Sequence, residues 1–95
     1  MTDAQALREH ILNAIKSLTE DPSVAVADST ALIGDGRVLD SMRLVELCLL
    51  LEDKALEIGF EFDWTSEVAM SKSRSMFRTA GSLANEFISQ MELKK

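Results

Sequence analysis

Residues 40–59 read DSMRLVELCLLLEDKALEIG, and this stretch decides the fold. Asp40 and Ser41 are both favourable helix N-caps, and Gly59 is a natural C-terminal stop. Between them the apolar residues fall on two stripes at helical spacing. Leu47, Cys48, Leu51, Ala55 and Ile58 share one face, with Leu44 at its margin. Met42, Val45 and Leu49 share another, flanked by Glu46, Glu52 and Asp53. A helix in a small bundle needs one stripe for the core. A second stripe edged by acids and starting at the helix N-terminus reads as a surface kept for partners. A central helix buried on two sides would give the same pattern.

On the N-terminal side, Leu7, Ile11, Ala14, Ile15 and Leu18 form one apolar stripe and predict a helix over residues 3–19. Thr2 or Asp3 would cap it, and Asp21–Pro22 would end it. A long connection over residues 20–39 follows, with a turn signal at Gly34-Asp35-Gly36. Its dispersed apolar residues, Val24, Val26, Leu32, Ile33, Val38 and Leu39, predict a segment packed down on the core.

On the C-terminal side, Phe60, Phe62 and Trp64 alternate with Glu61 and Asp63. With no partner strand in view, they predict an extended loop that buries aromatic rings. Ser66–Ser71 predicts a turn of helix, and Lys72-Ser73-Arg74-Ser75 an exposed polar stretch. A last helix begins at the Thr79 cap, with Leu83, Ala84, Phe87, Ile88 and Met91 inward. The expected fold is all-α: a small bundle of three main helices plus a short irregular or helical segment, with a long loop between helices one and two.

Composition bounds what such a bundle does. The chain has 95 residues, room for one domain spanning 1–95 and little depth for an enzyme active site. One cysteine excludes an internal disulfide and reads as a small buried hydrophobe in a reducing compartment. No apolar run reaches the roughly 20 residues of a membrane span, and no secretory leader is visible. The expectation is a soluble cytoplasmic protein, by default a monomer. The net charge is −6, and residues 20–63 alone carry eleven acids against three bases. Such a surface repels nucleic-acid phosphate and anionic membranes and attracts basic patches on proteins.

Signatures of catalysis are missing from the sequence. His10 is a lone histidine on the outer side of the first helix, and no cysteine–histidine spacing suits a metal. Gly34-Asp35-Gly36 lacks the remaining glycines and the Lys-Ser/Thr pair of a phosphate loop. The chain is read as no enzyme. Ser41 stands apart, because it opens a helix where a phosphodiester on its oxygen would lie beside free N–H groups. As a bare helix-start serine it could equally be only a cap.

The stretch Gly36-Arg37-Val38-Leu39-Asp40-Ser41-Met42-Arg43-Leu44-Val45-Glu46-Leu47, followed by Leu50-Leu51-Glu52-Asp53, resembles the signature of the acyl carrier protein family. That family opens its second helix with Asp-Ser-Leu; here Met42 replaces the Leu. The order of elements is similar over nearly the whole chain. The resemblance implies that Ser41 carries 4′-phosphopantetheine, installed from coenzyme A by a phosphopantetheinyl transferase, with Asp40 supporting the modification. The arm's thiol would hold acyl groups as thioesters and present them to a loading ligase or transferase and to downstream biosynthetic enzymes. Met42, Val45 and Leu49 would form the apolar part of the docking face, with Arg43 beside them. Glu46, Glu52 and Asp53 would pair with basic partner residues.

Two features depart from the general fatty-acid carriers. Arg43 stands where those carriers have an acid, and the segment between Gly59 and Thr79 is longer than usual. The Gly34-Asp35-Gly36-Arg37-Val38-Leu39 approach in turn resembles that of free-standing specialised carriers, and together these imply a dedicated carrier of a small biosynthetic pathway. An aminoacyl or peptidyl carrier fits the same residues, and an unmodified helical adaptor would use the Met42-Val45-Leu49 stripe alone.

Overall fold

The computed structural model describes residues 4–19, 25–34, 38–71 and 73–93. The expected caps Thr2 and Asp3, the Asp21–Pro22 stop, Val24, Asp35-Gly36-Arg37 and Lys72 lie outside the described residues. The fold is all-α. Among the described residues there are three long helices, α1 (Ala4–Leu18), α2 (Ser41–Ile58) and α5 (Ala80–Leu93), and two short ones, α3 (Glu67–Ser71) and α4 (Ser73–Met76). No helix among them is long and apolar enough to cross a membrane.

The apolar stripes meet as their spacing requires. Leu7, Ile11 and Ile15 of α1 are buried, and α1 packs on both α5 and α2. Leu47, Cys48, Leu51 and Ala55 form the inward face of α2, while Leu83, Ala84, Phe87 and Met91 form that of α5. Gly59 ends α2 in the left-handed region, at φ 115°, which its missing Cβ permits. The N–H groups of Gly59 and Phe60 both donate to the Ala55 carbonyl, at 2.8 and 2.9 Å. That turn sends Phe60 and Phe62 into the core against Phe87, with ring centroids at 5.1 and 5.3 Å.

The described part of the long connection is packed down, as its apolar residues predict. Leu32 and Leu39 are buried, and Val26, Ile33 and Val38 pack against the same core. Its backbone also completes the start of α5. Ala80 N–H donates to the Thr30 carbonyl at 2.8 Å and Gly81 N–H to the Asp28 carbonyl at 2.9 Å. Thr79 accepts from Ser82 N–H through its hydroxyl at 3.1 Å. The first N–H groups of α5 are thus satisfied by a segment about fifty residues earlier in the chain. Arg8 of α1 joins the same corner, donating to Asn85 Oδ1 and lying 3.4 Å from Asp28.

Gly81 is where the two segments come closest. A Cβ there would stand 2.9 Å from both the Cβ and the carbonyl oxygen of Asp28. Gly81→Ala is therefore expected to cost about 1–3 kcal/mol by forced displacement. The gain of ~1 kcal/mol in helix propensity offsets only part of this. Urea denaturation checks it; a variant as stable as the parent would mean that the contact relaxes freely.

The stretch after Trp64 is more helical than its composition suggests. Ser73–Met76 forms α4 within the stretch expected to be polar and exposed, with Arg74 and Ser75 exposed and Met76 and the following Phe77 buried. Within the expected helical turn of Ser66–Ser71, Glu67–Ser71 forms α3. Asp63 holds its start, accepting from Ser66 N–H at 3.1 Å and Ser66 Oγ at 2.5 Å.

Candidate functional site

The N-terminus of α2 separates the two candidate caps. Asp40 is the cap: its backbone is extended at φ −78°, ψ 176°, and Oδ1 accepts from Arg43 N–H at 2.8 Å. The Asp40 carbonyl takes the first helical bond, from Leu44 N–H at 2.9 Å. Ser41 is the first helical residue and is exposed. Its hydroxyl has no hydrogen-bond partner among the described residues. The N–H groups of Ser41 and Met42 face outward without intrahelical acceptors, as the first turn dictates. An oxygen-linked phosphoryl group on Ser41 fits here: none of the described residues covers it, and the positive end of the helix lies beside it.

Around Ser41 the outer stripe of α2 is open to solvent. Met42 is 78% exposed, and Val45 and Leu49 about half exposed. Glu46 and Asp53 are exposed beside them. The stripe runs further than the sequence reading took it, because Leu56 continues it and is 64% exposed. Two residues expected on this face have tertiary attachments instead of pointing freely outward. Arg43 is half-buried and donates from its guanidinium to the Leu18 carbonyl at the end of α1, at 2.6 Å. Its Nε also lies 3.8 Å from Asp40 Oδ2. Glu52 is half-buried and accepts from the Trp64 indole N–H at 2.5 Å.

Replacing Asp40 separates its two roles. Asp40→Ala is expected to cost about 1 kcal/mol by leaving Arg43 N–H without its cap. Asp40→Asn retains the acceptor and should melt within ~0.5 kcal/mol of the parent. Thermal melts of the pair check this; equal losses would show that the carboxylate charge, not the cap, carries the stability.

Cys48, on the buried face of α2, offers no competing nucleophile. Burial pushes its thiol up to about 12, and the nearby Glu52 carboxylate adds to the effect. Among the described residues no three His, Cys, Asp or Glu side chains converge as a metal would require.

A second feature is a cleft of about 690 Å³ beside the C-terminal half of α2. Leu56, Phe62, Ala69, Met76 and Leu93 supply its apolar surface. Carboxylates of Glu52, Glu61, Asp63 and Glu86 line it with them. Gln90 holds one wall, donating to Glu86 Oε2 at 2.8 Å and to the Asp63 carbonyl at 2.9 Å. Sequence reasoning did not find this cleft, since its residues come from four separate segments. No family model, curated protein or solved structure matches the chain.

Proposed function

We propose that the chain is a carrier protein whose Ser41 bears a 4′-phosphopantetheine arm. What supports this is the pairing of the Asp40-Ser41-Met42 motif with an exposed Ser41 hydroxyl that no group of the described residues engages. A serine needed only as a cap would turn its oxygen to an N–H of the first turn, and Asp40 has taken that place. In the modification, Ser41 Oγ bonds to the phosphorus of the coenzyme A pyrophosphate and the anhydride bond breaks. Adenosine bisphosphate leaves, and the serine proton passes to a base of the phosphopantetheinyl transferase. The arm, once present, supplies a thiol that takes an acyl group as a thioester.

The chain's own residues position and present. Asp40 sets the turn that exposes Ser41, its carboxylate being held by the backbone N–H and the guanidinium of Arg43. Met42, Val45 and Leu49 give loading and downstream enzymes an apolar seat beside the arm, with Glu46 and Asp53 steering basic partners. Arg43 secures the α1–α2 junction on which that face stands.

The direct test is intact-protein mass spectrometry after incubation with coenzyme A and a broad-specificity phosphopantetheinyl transferase, followed by peptide mapping. One phosphopantetheine on Ser41 is the expected result. No gain, with the transferase active on a control carrier, would leave the unmodified adaptor, for which the exposed stripe running on to Leu56 is the favourable observation.

A further inference from the structure

Arg43 holds the Asp40 carboxylate twice. Its backbone N–H donates to Oδ1 at 2.8 Å, and its Nε lies 3.8 Å from Oδ2. Main chain and side chain of one residue therefore engage both oxygens. Ser41 lies between the two residues that make this loop, so the turn around it is closed on both sides.

The same guanidinium reaches the end of α1. Nη1 donates to the Leu18 carbonyl at 2.6 Å, in a contact that is partly buried. Leu18 is the last residue of α1, so its carbonyl has no N–H of its own helix to accept from. The Lys16 carbonyl is met locally, by the Thr19 hydroxyl at 2.9 Å. The Leu18 carbonyl is met from twenty-five positions further along the chain. A cation there also suits the negative end of the α1 dipole. Nε and Nη1 leave one rigid plane in fixed directions, so holding both acceptors sets how α2 starts relative to α1. An ammonium on a flexible stem does not reproduce that fork.

Helix α1 packs on both α2 and α5, so this tie refers the Ser41 turn to the body of the bundle. A transferase seated on the outer face of α2 then meets a nucleophile that is already aimed. Without the tie, the turn samples orientations that do not place Oγ in line with the phosphorus. Aiming of this kind acts on the reacting step and not on docking.

We propose that Arg43 is a positioning residue for the modification of Ser41, acting through Asp40 and the end of α1. The assignment rests on the carrier reading, and it moves Arg43 from the partner contacts expected in the sequence to a place beneath them.

The test follows arm transfer from coenzyme A by intact mass, at rising carrier concentration, with a broad-specificity phosphopantetheinyl transferase. Rates are taken at a temperature where melts show each variant folded. Arg43→Gln is expected to lower kcat about tenfold while KM for the carrier stays within about twofold of the parent. Arg43→Lys keeps the charge without the fork; it should lower kcat about threefold, and it carries the test if the glutamine variant does not fold. A raised KM at the parent's kcat would make Arg43 a docking contact and overturn the inference. A lowered melt with both kinetic constants unchanged would overturn it as well, being the mark of a purely structural tie. A lysine variant with the parent's kcat would do the same, since charge alone would then suffice. No mass gain on the parent protein overturns the carrier reading itself, and this assignment falls with it.

Discussion

Ser41→Ala is expected to take up no phosphopantetheine while melting within ~0.5 kcal/mol of the parent protein. The sharpness of this outcome comes from the division of labour at the start of α2. Were Ser41 the cap, its loss would cost about 1 kcal/mol and blur function with stability. Because Asp40 Oδ1 accepts from Arg43 N–H, the Ser41 oxygen can be removed without leaving a helix donor unsatisfied. Intact mass and a urea melt on the same sample read the two quantities separately. An alanine variant that still gains the arm would place attachment elsewhere and sink the assignment. A parent protein that itself gains nothing, while partners still bind through Met42, Val45 and Leu49, would move the function to the adaptor class.

Phe87→Ala should be the most damaging single truncation, with an expected loss of about 3–5 kcal/mol. Phe87 is wholly buried and sits between two rings, edge-on to Phe60 and tilted against Phe62. Domains of this size are stable by only about 5–15 kcal/mol, so the variant would stand close to the unfolding threshold. Phe62 also lines the acidic cleft, so the cavity left by Phe87 would loosen that wall even in molecules that stay folded. Urea titration followed by Trp64 fluorescence measures the effect. A loss below about 1.5 kcal/mol would show that the core closes over the gap and is not centred on this ring.

The parts of the molecule that were legible in the sequence are those with a full helical period. Residues 4–18, 41–58 and 80–93 each repeat their apolar positions over three turns or more, which is enough to give both the element and its buried face. The turn expected within Ser66–Ser71 is found as α3, but α4, of four residues, completes too little of a period to announce itself. Met76 at its end and Phe77 just after it are therefore core residues that no local pattern assigns. The choice between Asp40 and Ser41 as cap was equally open, because both side chains can accept from the first turn and only backbone geometry separates them.

The outer stripe of α2 was legible through Leu49 because acids flank it. Its extension to Leu56 was not, since Leu56 lies between Ala55 and Glu57, near enough to the core positions to be mistaken for one. Arg43 pairs with a carbonyl twenty-five residues earlier, and no local spacing reveals such a contact. The same holds for the cleft, whose carboxylates at positions 52, 61, 63 and 86 meet only after the chain has folded.

The docking of α1 on α5 bears on how the chain reaches this state during synthesis. About sixty residues separate the end of α1 from the start of α5, and the carbonyls of Asp28 and Thr30 wait for N–H groups about fifty residues further on. On the ribosome, α1 and the connection emerge with an apolar flank that has no lasting cover until α5 follows. Cooperative folding is thereby deferred until most of the domain has left the exit tunnel, and the nascent chain depends on its own acidity to resist association in the interval.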